Sequence, residues 1–110
     1  MEVRTGPIRL SSYGIKLRRV VNASLYKYFK EGTLNQKEVN ALLSDVNAKL
    51  YSLFVEKYVI PKDAIVNIAL DYEVEEGKLK IKGMKVEVYI LDETLSTTLT
   101  EDAKRALGLS

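Results

Sequence analysis

The first thirty residues carry the side chains best suited to recognition chemistry. They hold seven cations against one acid, a local net charge of +6, while residues 63–110 carry a net charge of −4. Aromatic residues stand among the cations, at Tyr13, Tyr26, Tyr28 and Phe29. Cations neutralise phosphates and aromatic faces stack on unpaired bases, so this mixture is typical of proteins that bind single-stranded nucleic acid.

Eight residues of this basic segment are predicted to form one binding surface. They are Arg4, Arg9, Tyr13, Lys16, Arg18, Arg19, Tyr26 and Lys27. The alternative is an ordinary structural role, in which the cations form the solvated face of a helix and the aromatic rings belong to the core. Six excess charges within thirty residues exceed what solubility requires, so we expect a surface for single-stranded DNA, with RNA left open.

Residues suited to catalysis are scarce. The chain has no histidine and no cysteine, which removes the usual general base, the thiolate nucleophile and sulfur metal ligands. Ser11 and Ser12 stand where a helix cap is expected. Asp71 and Glu73 are expected to pair with lysines across a strand, a simpler role than holding Mg²⁺. The glycines are too widely spaced for a phosphate loop, so the sequence predicts a non-catalytic protein without cofactor or metal.

Composition predicts one independently folding domain over residues 1–110. Apolar residues make up 46% of the chain and charged residues 29%, as in globular proteins. No apolar run is long enough to span a bilayer, and the first residues lack the apolar core of a signal peptide, which favours a cytoplasmic protein that does not bind membranes. The absence of cysteine and histidine beside abundant lysine and glutamate is compatible with a thermophilic source.

Hydrophobic periodicity predicts the elements of the first half. Residues Val3 to Leu10 indicate a strand, and apolar residues at helical spacing predict a helix from Tyr13 to Lys30, which ends before Gly32. Asn35 followed by Glu38 resembles a capping box, and a long apolar stripe predicts a second helix to about Tyr58. The stripe consists of Val39, Leu42, Leu43, Val46, Leu50, Leu53 and Phe54.

A bulged hairpin is predicted for the second half. Residues Ala64 to Val74 alternate between apolar and polar, a turn follows at Glu76-Gly77, and the phase of the next strand slips at Gly83. The register that keeps all apolar residues on one face pairs Val74 with Leu79 and Leu70 with Met84, and it brings Glu73 near Lys80 and Asp71 near Lys82.

The remaining segment completes a predicted α+β fold. The hydroxyl-rich stretch ETLSTTLT is expected to be irregular, followed by a short helix capped by Thr100 and ended by Gly108. The predicted order is β-α-α-β-β with a short C-terminal helix. An antiparallel sheet, made of the N-terminal strand and the bulged hairpin, should pack on two helices.

The opening residues RTGPIRLSSYGIKLRRVVNA, followed by a leucine-rich helix and a hairpin, resemble a family of small archaeal proteins. That family is similar to the ThermoDBP type of single-stranded DNA-binding proteins and their shorter relatives. The resemblance implies a cleft that is apolar at its base, flanked by basic residues, and accepts single-stranded DNA. It implies a flanking role for Arg4, Arg9, Lys16, Arg18 and Arg19, with Tyr13 or Tyr26 as a stacking surface.

A structural or protein-interaction module is the alternative function. Tyr51, Val55 and Tyr58 form a second apolar patch beside the main stripe of the second helix, and this patch must be covered by something. A homodimer could bury it against the equivalent surface of a second copy. The exposed surface decides between the two functions, since a basic surface with aromatic rings favours nucleic acid and an uncharged apolar surface favours protein.

Overall fold

The computed structural model describes residues 1–109, which form an α+β fold, as predicted. The strands are β1 (Glu2–Arg4), β2 (Ile8–Arg9), β3 (Ile65–Glu75) and β4 (Lys78–Tyr89). The helices are α1 (Tyr13–Ser24), α2 (Tyr26–Lys30), α3 (Gln36–Tyr51) and α4 (Glu93–Ala106). A 3₁₀ turn over Leu10–Ser12 precedes α1, and a π-helical segment over Ser52–Lys57 continues α3.

Strand β3 is the centre of an open antiparallel sheet. It pairs with β1 and then β2 along one edge and with β4 along the other. The predicted hairpin register is confirmed, including Val74 opposite Leu79 and Leu70 opposite Met84. Its turn has positive φ at both Glu76 (52°) and Gly77 (74°), a conformation that matches the twist of the two strands.

The predicted bulge of the hairpin is present and leaves Lys82 as the extra residue. Tyr72 pairs with Ile81 and Asp71 with Gly83, so the expected approach of Asp71 to Lys82 is wrong, whereas Glu73 does lie opposite Lys80. Lys82 instead forms an ion pair of 3.1 Å with Glu75, and its hydrogen bond lowers the pKa of the Glu75 carboxyl. An extra residue frees its side chain from the cross-strand pairing.

The predicted N-terminal strand is interrupted, which gives the sheet four strands rather than three. Thr5 donates its N–H to the carbonyl of Ile68, but the N–H of Ile68 is accepted by the Thr5 hydroxyl at 3.0 Å. The side chain thus replaces a backbone carbonyl where the chain bends at Gly6, whose φ is +70°. Because the buried N–H of the central strand keeps a partner, the interruption carries little cost.

The predicted first helix is also interrupted, between Ser24 and Tyr26. The Ser24 hydroxyl donates to the carbonyl of Val21 and accepts a hydrogen bond of 2.8 Å from the Tyr72 hydroxyl. A serine that bonds to the preceding turn of its own helix favours a bend. Leu25 stays fully buried at the break, so α1 and α2 remain attached to the sheet.

One hydrophobic core lies between the helices and the inner face of the sheet. It contains Leu17, Val21, Leu25, Leu43, Val66, Ile68, Leu70 and Tyr72, all fully buried. The Asn35 side chain accepts a hydrogen bond from the Glu38 N–H, as the predicted helix start requires. The end of the predicted stripe differs, because Phe54 is buried while Leu53 is exposed. The wider turns of the π-helical segment change which side chains face the core.

The C-terminal segment is helical for longer than expected. Helix α4 begins at Glu93, so the prediction of an irregular ETLSTTLT stretch is wrong, and Thr100 lies inside the helix rather than at its cap. The cap is Asp92, whose carboxylate accepts the Leu95 N–H at 2.9 Å. All side chains of α4 are exposed. Within residues 1–109, none of the helices has the length and apolarity needed to cross a membrane.

Candidate nucleic-acid interface

A deep groove, here called the tyrosine groove, opens between the start of α1 and the end of α3. Its volume is about 870 Å³. The apolar part of its lining includes Leu10, Ile15, Tyr51, Val55, Ile60 and Pro61, and Lys62 stands at its rim. The Tyr51 ring is 53% exposed. An apolar concavity of this size with few polar groups has the character of a ligand site.

Tyr13 supports the groove instead of offering a free face. Its ring packs edge-on against Phe54 with the ring centroids 5.2 Å apart, and its hydroxyl donates to the Asn47 carbonyl at 3.1 Å. Burial, with a smaller contribution from the neighbouring Tyr51, raises the pKa of the Tyr13 phenol. The buried ring fixes α1 to α3, which leaves Tyr51 as the exposed aromatic ring of the groove.

Gly14 and Asn47 set the close approach of the two groove walls. The Asn47 amide donates to the Gly14 carbonyl at 3.2 Å, and a Cβ at position 14 would lie only 3.4 Å from that amide nitrogen. The Asn47 Oδ1 is buried and has no hydrogen-bond partner among the described residues. A glycine inside a helix costs about 1 kcal/mol relative to alanine, and a Cβ here would be at the edge of ordinary van der Waals contact with the facing amide.

The opposite wall carries backbone strain. Val59 has a φ of 49°, a conformation that a β-branched residue rarely adopts. The Tyr58 N–H donates to the Leu53 carbonyl and the Ile60 N–H to the Phe54 carbonyl, at 2.9 and 2.8 Å, and these bonds close the π-helical segment around Val59. Strain of about 1 to 3 kcal/mol that the surrounding structure holds in place is a feature of binding sites.

Arginines stand one helical turn from both walls of the groove. Arg18 is four residues after Gly14 and donates to the Ser44 hydroxyl at 2.9 Å, while Ser44 is four residues before the groove residue Ala48. Arg19 is four residues after Ile15, so it extends from the same face. With Lys62 at the other end, cations flank the groove on both sides. Within residues 1–109 none of these three cations forms an ion pair.

The other predicted site residues do not gather at this groove. Lys16 does not line the groove; it is about 200° around α1 from Arg18, although it lies one turn before Arg19. Lys27 belongs to α2. Tyr26 is 66% exposed and opens α2, two turns beyond Arg19.

Arg4 and Arg9 lie on the other side of the molecule. Arg4 pairs across the sheet with Ala69, and Arg9 pairs with Ile65, on the face that points away from the helices. Arg4 also forms an ion pair of 2.6 Å with Glu2, and this hydrogen bond raises the pKa of Arg4. The structure therefore places the eight predicted residues on two sides of the sheet.

Sequence reasoning missed the aromatic and basic residues that complete the groove. Tyr51 and Val55 belong to a protein interface only under the alternative function, and they line the groove next to the arginines. Lys62 was not singled out, although Pro61 before it marks the end of a helix. Their helical spacing groups Tyr51 with Val55, four residues apart on one face, but no signal in the sequence links this pair to Lys62 or to the start of α1.

Structures of known proteins resemble this chain over 98% of its length. One is described as apeThermo-DBP-RP2 bound to the single-stranded DNA dT10, with a TM-score of 0.83 and 31% identity; the match covers 51% of that chain, so the present chain spans about half its length. Another is pfuThermo-DBP-RP1, with a TM-score of 0.70, 23% identity and 74% of that chain covered, which shows a shared fold. A comparison with curated proteins finds no match.

The sequence itself identifies the family. The model of the ThermoDBP-related family of archaea matches residues 3–80, from β1 through the hairpin turn to β4. This range contains α1, α3 and the whole lining of the tyrosine groove. These comparisons give no support to a homodimeric interaction module as the function. The chain therefore belongs to the ThermoDBP-related family of archaea, as the resemblance of its opening residues predicted.

Proposed function

We propose that this chain is a non-catalytic protein that binds single-stranded DNA in the tyrosine groove. The observation that carries the proposal is an apolar groove with an exposed tyrosine and, at both ends, cations that form no ion pair among the described residues. The structure of apeThermo-DBP-RP2 with dT10, 31% identical to this chain, supports it. In this arrangement Arg18, Arg19 and Lys62 contact phosphates, while bases enter between Tyr51 and Val55.

The chemistry of the groove favours single strands over duplexes. A base can stack on Tyr51 only when its face is free, and the faces of paired bases are covered by their neighbours in the double helix. The side chains around Tyr51 offer apolar contact rather than a row of donors and acceptors for base edges. We therefore expect little sequence preference, since every base has a face that stacks.

The first test is a titration of labelled dT10 at several salt concentrations. We expect micromolar or tighter binding at low salt and a linear fall of log affinity with log salt, about 0.7 for each phosphate contacted. Fluorescence anisotropy measures both quantities, and a blunt duplex of equal length is the control. A flat titration at low salt, or equal affinity for the duplex, contradicts the proposal.

Substitution of Tyr51 tests the location of the site. We expect Tyr51→Ala to weaken dT10 binding by about 1 to 3 kcal/mol, the contribution of one base stacked on an aromatic ring. The thermal melting temperature should change little, because the ring is half exposed.

Tyr26→Ala is the matched control for this substitution. It removes an exposed tyrosine from the same protein, at a position that does not line the tyrosine groove. Unchanged binding by the Tyr26 variant together with weaker binding by the Tyr51 variant supports the groove. The reverse pattern would contradict the groove and indicate a site on the outer surface of α1 and α2.

A further inference from the structure

A second groove, which contains the predicted site residue Arg9, lies on the outer face of the sheet, apart from the tyrosine groove. Its volume is about 760 Å³, and it is bounded by β2, the end of β4 and the segment before β3. Its floor is apolar and includes Ile65, Ile90 and Leu91. It is a separate cavity from the tyrosine groove, because the two cavities face different sides of the sheet.

The second groove repeats the chemistry of the first. The sheet register places Arg9 and Tyr89 on either side of Ile65 in a single cross-strand row. The Tyr89 ring is 49% exposed, and its hydroxyl lies 3.3 Å from the Glu87 carboxylate. Arg9 forms no ion pair within residues 1–109, and Asp63 is the one acid in the lining. An aromatic face beside an unpaired arginine suits a nucleotide with an unpaired base.

The two grooves meet at Ser11 and Lys62, the residues that line both of them. Ser11 and Ser12 were expected to cap α1, but Ser11 lies inside the 3₁₀ turn and Ser12, at the N-cap, forms no side-chain cap hydrogen bond within residues 1–109. The Ser11 side chain is exposed. Lys62 is exposed and has no acidic partner within the described residues. A cation and a hydroxyl at the ridge between two apolar grooves are suitable ligands for a phosphate.

We propose that one DNA strand occupies both grooves and crosses from one to the other at Lys62. The inference depends on the proposed function, and it adds a second subsite and a named crossing point. Bases on one side of the crossing stack on Tyr51, bases on the other side stack on Tyr89, and Lys62 contacts the phosphate between them. An oligonucleotide must then be long enough to cross this ridge before it can contact both grooves.

The test compares Tyr89→Ala with the unmodified protein on dT10 and on shorter oligo-dT. We expect Tyr89→Ala to weaken dT10 binding by about 5- to 150-fold, the effect of losing one stacked base. The loss should vanish for oligomers too short to cross the ridge, which stay in the tyrosine groove. Because the two tyrosines are separate sites on one strand, the effects of Tyr51→Ala and Tyr89→Ala on dT10 should multiply.

The crossing point has its own measurement and control. Lys62→Ala should weaken dT10 binding and reduce the salt slope by about 0.7, the share of one phosphate on a single strand. Lys57→Ala is the control, because Lys57 is near in sequence but lies over the Tyr58 ring and lines neither groove. Equal effects of the two lysine variants on the slope would contradict the crossing.

The outcomes separate this inference from the proposed function. If Tyr51→Ala weakens dT10 binding and Tyr89→Ala leaves it unchanged, the second groove is not used and the proposed function survives. If Tyr89→Ala weakens short and long oligomers equally, the strand does not bridge the grooves. If the unmodified protein binds no dT10, the proposed function itself fails. Melting curves of each variant confirm that the fold is retained.

Discussion

The double variant Arg18→Glu with Arg19→Glu is expected to lose binding to dT10 by about a hundredfold or more. Each charge-assisted hydrogen bond to a phosphate contributes about 1.5 to 3 kcal/mol, and about 1.4 kcal/mol corresponds to a factor of ten in affinity. The introduced carboxylates add repulsion. Arg18 donates one exposed hydrogen bond to Ser44, so the free energy of unfolding should fall by about 1 kcal/mol at most.

A variant with the same change of net charge provides the control. Lys104 and Arg105 are also adjacent cations, and they lie on α4 in exposed ion pairs with Glu101 and Asp102. Reversing both to glutamate changes the total charge by the same amount and leaves the tyrosine groove intact. We expect this control to bind dT10 far better than the Arg18 and Arg19 variant at every salt concentration. Equal losses would mean that net charge alone governs binding.

Leu50→Ala is expected to destabilise the fold by about 2 to 5 kcal/mol, the usual cost of removing a buried leucine side chain. Leu50 is only 6% exposed and belongs to the core. A domain of this size has a total stability of about 5 to 15 kcal/mol, so the loss is large. Urea unfolding followed by circular dichroism measures it as a lower midpoint with an unchanged slope.

Leu53→Ala tests whether residue 53 is exposed, as in the structure, or buried, as the predicted apolar stripe implies. Both leucines belong to the predicted apolar stripe, yet Leu53 is 41% exposed because it lies in the π-helical segment. We expect Leu53→Ala to cost well under half as much as Leu50→Ala, because less apolar surface is uncovered. A similar loss of unfolding free energy in the two variants would contradict the structure and indicate that Leu53 is buried as part of a regular α-helical stripe.

The predictable part of the fold is the part that local patterns determine. Alternation and a glycine were enough to give the hairpin register and its bulge, because a wrong register exposes a whole apolar face. One failure lies where a distant side chain takes part: Ser24, at the end of α1, bonds to Tyr72 on β3. The other is local, because Asp92 caps a helix that runs through serine and threonine residues, which favour other structures on their own.

The candidate site was predictable in chemistry but not in location. The excess of cations in the first thirty residues pointed to phosphates, and Arg18 and Arg19 do stand beside a groove. Periodicity along one helix gives no information on which neighbour lies across from it. The sequence offered Tyr51 only as part of an alternative protein interface, whereas the tertiary structure places it opposite the start of α1. It also offered Tyr13 as a stacking surface, whereas the Tyr13 ring packs against Phe54.

The interruption at Thr5 and Gly6 determines which face of the sheet the side chains before and after it occupy. Arg4 and Arg9 are five residues apart, an odd separation, so an unbroken strand would send them to opposite faces. Their partners Ala69 and Ile65 are four apart, because the interruption inserts one extra residue. If the same residues continued as an unbroken strand from Arg9, Arg4 would turn towards the core and Val3 to solvent. Because the interruption takes up one extra residue, both arginines lie on the same side of the sheet.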